Sequence, residues 1–253
     1  MLSAASPARA VVQHPHGEFM FFLPVRVLMA SYCSIVDCFI RKPMGGSLWR
    51  NNMLRIYGSA RSRGIRVLWM VGELGLEYDH KDYLPRSPET RTPEFLALNP
   101  NARVPTIDDD GFILSESMAI NMYLAKKHKS PLYPADPKHE ARTWQWSLWE
   151  TDRLDRQIVN YQRHTRDLPE KERSAEAAKA AWEEVVPALD VLETALSKSE
   201  WLAGPAFSVA DLNVAGALFR GLSMDLKKWP HVEKWLNRCW ERPAAQRAKA
   251  MRG

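Results

Sequence analysis

The chain has 253 residues, 45% hydrophobic and 26% charged, which supports one large core or two modest ones, so that disorder is not the default expectation. Of its formal charge of +5, the first 52 residues contribute +3 through Arg9, Arg26, Arg41, Lys42 and Arg50 against Glu18 and Asp37. Beyond them basic and acidic side chains alternate, as in Asp152-Arg153-Leu154-Asp155-Arg156, so no basic stripe exists to track nucleic acid.

Cys33, Cys38 and Cys239 are too few for a disulfide framework or a four-ligand zinc site, and the seven histidines show no ligand spacing. No metal and a reducing, cytoplasmic setting are expected. Phe19 to Ile40 approaches the length of a membrane span, but Pro24, Arg26 and Asp37 interrupt it, and a central Arg or Asp costs roughly 2.5–3.5 kcal/mol on insertion. No stable membrane insertion is expected, and the criteria for a secretory or organelle-targeting segment are poorly met. Residues 1–52 are therefore expected to be a poorly structured extension or a mis-assigned start, with strand-like Leu54-Arg55-Ile56-Tyr57 following directly on Met53.

From there the pattern is regular. After Leu54 to Tyr57 and a turn at Gly58, Ser62 precedes a helical run through Ile65, Leu68, Trp69 and Val71. Leu76 to His80 alternates as a second strand; Ser87-Pro88 and Thr92-Pro93 mark a loop into a short helix over Glu94 to Leu98. Val104 to Ile107 is a third strand, Asp110-Gly111 a hairpin turn and Phe112 to Leu114 a fourth strand. A helix is expected from Ser115 to about His128.

This is a β-α-β-α-β-β-α unit over residues 53–129. The proline-rich stretch 130–137 reads as a linker, and 138–253 as an all-helical domain. Helices are expected over Lys138 to Val159, Ser174 to Lys198 and Ala210 to Phe219. Their core-facing stripes are Trp144, Trp149 and Leu154, then Trp182, Val185, Leu189, Leu192 and Leu196. Ser208-Val209-Ala210-Asp211 has the form of a capping box, with Ser208 accepting a backbone N–H at the third helical position and Asp211 reaching back, which makes Asp211 structural.

Residues 53–248 in this order resemble the cytosolic glutathione transferases, and in particular serine-type, bacterial-like members. The resemblance is carried by Tyr57-Gly58-Ser59 through Ser62 and Arg66, Asn99-Pro100-Asn101-Ala102-Arg103-Val104-Pro105, Glu116-Ser117, and Ser208-Val209-Ala210-Asp211. It implies a thioredoxin-like α/β domain that holds glutathione, followed by an all-α domain that shapes the second-substrate site. It also implies a homodimer and a role in detoxification, with glutathione as co-substrate and no other cofactor.

Such an enzyme has to ionise the glutathione thiol near neutral pH, since the thiolate is the nucleophile and a free thiol titrates around pH 8.5. Ser62, at a helix N-terminus, is the expected donor to sulfur, where the dipole adds roughly 0.3–1 kcal/mol. A plain N-cap role is its alternative reading, and Ser59 is the rival hydroxyl. Arg61 and Arg63 either stabilise an anion or are solvated. With no cysteine at 59–62, mixed-disulfide chemistry lacks its nucleophile.

By the resemblance, Val104-Pro105 forms a cis-proline corner against the cysteinyl backbone of glutathione. Glu116 and Ser117 take the γ-glutamyl amino and carboxylate groups, and Arg103 faces the glycyl end. Trp149 and Tyr161 are candidates to line an apolar pocket for a small electrophile, with core packing as the other reading. Glutathione-dependent isomerisation, dehalogenation and peroxide reduction use the same site, and a non-catalytic binding or assembly module is the reading from another class.

Overall fold

The computed structural model describes residues 53–253; the expectations for residues 1–52 lie outside these. Strand β1 (Leu54–Tyr57) buries Leu54 and Ile56 and turns Arg55 outward, the two-residue period of a strand. It pairs in parallel with β2 (Tyr78–Lys81) and antiparallel with β3 (Thr106–Asp109), which pairs antiparallel with β4 (Phe112–Ser115). The sheet order is β2-β1-β3-β4. Asp110 and Gly111 close the β3–β4 hairpin with φ of 55° and 88°, the positive pair that a two-residue hairpin needs.

Helix α1 (Gly64–Leu74) is buried at every position from Gly64 to Val71. An amphipathic helix would not be; α1 lies inside because it packs on α3 (Ser117–Lys127) and on helices of the second half. It stops at Gly75, whose left-handed φ of 64° closes the last turn. Helix α2 (Pro93–Leu98) starts at Thr92, which accepts the Phe95 N–H.

The second half holds α4 (Pro137–Arg153), α5 (Asp155–Gln162), α6 (Ala175–Leu196), α7 (Val209–Ala217), α8 (Pro230–Trp240) and α9 (Pro243–Ala250). Trp69 on α1 lies with its ring centroid 4.6 Å from Trp240 and 6.1 Å from Phe207, so an aromatic cluster joins the two halves. The stretch between them is docked, with Leu132 buried and its carbonyl accepting the Val209 N–H at 2.9 Å.

Several boundaries differ from expectation. Strand β3 begins at Thr106, because Pro105 has no N–H for the ladder. Ser115 ends β4, and α3 starts at Ser117. The run over 138–159 is two helices divided at Leu154, while α8 and α9, which the patterning did not single out, each open with proline in the first turn. Trp144 is corrected from core to surface at 45% exposure. The inward stripe of α4 is Thr143, Trp146, Ser147 and Glu150, the i, i+3, i+4, i+7 face. No helix among the described residues is long and apolar enough to cross a membrane.

Candidate functional site

The register of the sheet assembles the site. Tyr57 pairs with Thr106, and Thr106 with Ser115. The residues after Tyr57, before Thr106 and after Ser115 therefore leave the sheet at one end. Val104-Pro105 is a cis peptide, and Gly58 lies against it: a Cβ at Gly58, whose φ is 151°, would be 3.2 Å from Pro105 Cα. Only glycine lets the β1 exit run so close to the proline. Asn99 holds this corner through Nδ2, donating to Arg103 O and to Thr106 Oγ1, each at 3.0 Å. Arg103 is exposed and makes no ion pair among the described residues.

The turn leading into α1 positions two hydroxyls differently. Ser59 is 1% exposed and its Oγ accepts the Arg61 N–H at 3.2 Å. Ser62 is half-buried; its Oγ donates to Ser59 O at 2.8 Å and accepts the Gly64 N–H at 3.1 Å. A Cβ at Gly64 would meet Ser59 O at 2.6 Å, so the turn tightens only with glycine there. Ser62 lines a cleft of about 200 Å³ between α1, α5 and the chain after α7; Ser59 does not.

Glu116 adopts φ 71°, ψ 110° and its side chain makes no capping bond to α3. For a non-glycine residue this conformation costs on the order of 1–3 kcal/mol. Glu116 is exposed at the position that opens α3. Ser117 is buried, and its Oγ accepts from Arg66 Nη1 at 3.2 Å.

Arg66 is the buried hub of the site. One turn after Ser62 on α1, it pairs with Glu150 of α4 at 3.2 Å and with Asp155 of α5, which also binds Arg63 through Nε at 2.7 Å. Gly216 of α7 makes room, since a Cβ there would lie 2.7 Å from Arg66 Cγ. Burial pushes the Glu150 carboxyl up to about 8, with Arg66 pulling it down and the Asp155 charge adding to the rise. For Asp155, burial is outweighed by Arg66 and Arg63, and its carboxyl lies below the usual range.

Trp149 packs edge-on to Trp146 at 5.1 Å, and Tyr161 lies 4.9 Å from Trp182. Neither lines the cleft beside Ser62; Tyr161 lines a separate one with Trp182 and Met224. Ser208 and Asp211 do form the capping box, remote from the cleft. Ser208 Oγ accepts from the backbone of the third helical position as expected, and also from the Ala210 N–H at 3.3 Å, and Asp211 accepts the Ser208 N–H at 3.0 Å. Asp211 also accepts from Leu202 N and Trp235 Nε1, each at 2.9 Å.

Glu150 and Asp155 went unnoticed in the sequence. A carboxylate on the inward stripe of α4 is the signal that points to a buried partner. Among the described residues no cluster of three or more His, Cys, Asp or Glu can hold a metal ion.

Comparison with known proteins places this geometry among relatives. The model for the glutathione S-transferase N-terminal domain matches residues 53–126, and that for the C-terminal domain matches residues 135–243. Glutathione S-transferase D7 of Drosophila melanogaster is 31% identical over 192 residues, covering 72% of this chain and 82% of that protein. The theta class glutathione S-transferase from Xanthomonas axonopodis pv. citri, solved with glutathione bound, superposes with a TM-score of 0.73 at 30% identity over 77% of this chain and 96% of that one. Glutathione transferase F7 from Populus trichocarpa gives 0.73 at 25% identity over 79% and 100%.

Proposed function

Because the chain belongs to the glutathione S-transferase family, we propose that it is a serine-type glutathione transferase, using Ser62 to hold the thiol of bound glutathione as thiolate. The observation that carries the reading is the Tyr57–Thr106–Ser115 row, which collects Ser62, Val104-Pro105 and Glu116-Ser117 at one end of the sheet.

In this reading Val104 pairs its backbone with the cysteinyl unit in the manner of an added strand. The γ-glutamyl carboxylate sits on the N-terminal N–H groups of α3 and the Ser117 hydroxyl, and its ammonium on Glu116. Arg103 faces the glycyl carboxylate. Ser62 turns its hydroxyl from Ser59 O to sulfur, where α1 adds its positive end. The thiolate attacks an electrophilic carbon, a C–S bond forms, and the leaving group departs with its electron pair. Orientation and fixed charge supply the acceleration.

Residues 53–129 bind glutathione, and 138–253 complete the co-substrate side. The assembly is a homodimer, for which exposed Phe112, Trp144 and Leu148 supply apolar surface.

Retention on glutathione-agarose and thioether formation with 1-chloro-2,4-dinitrobenzene test the reading. Ser62→Ala is expected to be retained but to lose about 10²-fold in kcat. The thiolate absorbance of its glutathione complex is expected to titrate nearer pH 8.5, the unperturbed thiol range. The same loss in Ser59→Ala alone would move the role to Ser59, and absence of turnover in the wild type would remove the enzyme.

A further inference from the structure

Arg61, Arg63, Arg66 and Arg252 all line the cleft beside Ser62, and among the described residues Asp155 is the only acidic one lining it. That carboxylate is engaged by both Arg63 and Arg66. Glu150, behind Arg66, is fully buried. Arg61 is exposed, donates through Nε to Arg252 O at 3.1 Å and makes no ion pair among the described residues. Arg252 donates to Ala60 O at 2.8 Å and stacks its guanidinium 4.4 Å from the Phe219 ring centroid. Arg66 Nε, inside the cleft wall, is buried without a partner. Arg61 is therefore a cation at the cleft with no ion partner among the described residues, and the N-terminus of α1 adds to its field.

The rest of the lining is apolar, from Ile65, Val159 and Phe219. A purely hydrophobic electrophile has no use for the arginines. A neutral pocket, in turn, would repel an anionic electrophile from the glutathione thiolate, because like charges at contact distance oppose each other in a partly desolvated site. Arginines between the two anions remove that barrier, and a guanidinium fork matches a carboxylate.

We infer that the co-substrate is an aromatic electrophile bearing a carboxylate, the ring lying on Phe219 and Val159 and the carboxylate held by Arg61 at the mouth of the cleft. This rests on the thiolate chemistry proposed above and names its substrate class. For an aryl chloride, the thiolate carbon–sulfur bond forms at the ring carbon carrying chlorine. The ring's nitro groups take up the electron pair, the carbon–chlorine bond then breaks, and chloride leaves with the pair.

Two matched probes test it: 4-chloro-3,5-dinitrobenzoate and its methyl ester, each rate divided by its uncatalysed rate with glutathione. In the wild type the acid is expected to exceed the ester in kcat/KM by at least about tenfold, the size of one charge-assisted hydrogen bond. Added salt is expected to reduce that preference. Arg61→Gln is expected to bring the ratio near one, and Arg61→Lys to restore part of it. Thermal unfolding of each variant checks that it is folded.

Turnover of the ester without preference for the acid overturns the inference and leaves the transferase standing. A loss in Arg61→Gln that falls equally on both probes, with weakened glutathione binding by calorimetry, also overturns it by placing Arg61 on glutathione. Turnover of neither probe removes the transferase reading and the inference with it.

Discussion

Ser117 shows how a single contact sets the chemistry of a hydroxyl. Arginine has only donors, so in the 3.2 Å bond from Arg66 Nη1 the Ser117 oxygen must accept, and its own proton is directed elsewhere. That orients Ser117 as a donor, the role a bound carboxylate requires. Ser117→Ala is expected to weaken glutathione binding by about 1.5–3 kcal/mol, one hydrogen bond to a charged group. A glutathione analogue without the γ-glutamyl α-carboxylate should lose far less; equal losses by calorimetry would place that carboxylate elsewhere. Ser62, Pro105, Glu116 and Ser117 were legible as motif residues. Arg66 was legible only as a spacing marker, because its function depends on Glu150 and Asp155, which lie more than 80 residues away in the chain.

Among the elements, α7 depends most on one side chain. Asp211 is fully buried and accepts from Ser208 N, Ser208 Oγ, Leu202 N and Trp235 Nε1, so it caps α7 and ties it to α8 and to the loop before it. Asp211→Ala leaves several buried donors without acceptors, each worth about 1–3 kcal/mol. Urea unfolding is expected to show at least about 2 kcal/mol of destabilisation, with kcat per folded molecule unchanged. A smaller loss would mean the donors find other partners. The box was visible because capping is local, three residues apart. The break at Leu154 was not, since no proline or glycine marks it and the periodicity runs on through it.

For the whole molecule, the Arg66 cluster is where the sheet half and the helical half share charge. Glu150 titrates near 8 in the fold, above the ordinary carboxylate value of 4.5. Between those values the folded state binds more protons than the unfolded one, so Glu150 lowers stability as pH rises from about 4.5 to about 8 and no further above that. Relative to Glu150→Gln, the wild type is expected to lose up to about 1.4 kcal/mol per pH unit across that window, then level off. Unfolding in urea at pH 5, 7 and 9 checks this; a constant difference would mean that Glu150 stays ionised throughout. The proposed dimer is tested at the same scale. Trp144 and Leu148 lie one turn apart on α4, 45% and 65% exposed. Leu148→Glu is expected to sediment as a monomer where the wild type sediments as a dimer.

Local chemistry by itself determined the order of strands and helices, the hairpin at Asp110-Gly111 and the capping box. Each depends on side-chain period or on neighbours within a few positions, and these act wherever the rest of the chain lies. Only the tertiary structure decided that Trp146 and not Trp144 faces inward, that Arg66 orients Ser117 through a buried ion cluster, and that arginines from both ends of the described chain line the cleft beside Ser62. Those outcomes depend on which surfaces meet and how far each charge is removed from water, and that is set by contacts between segments far apart in sequence.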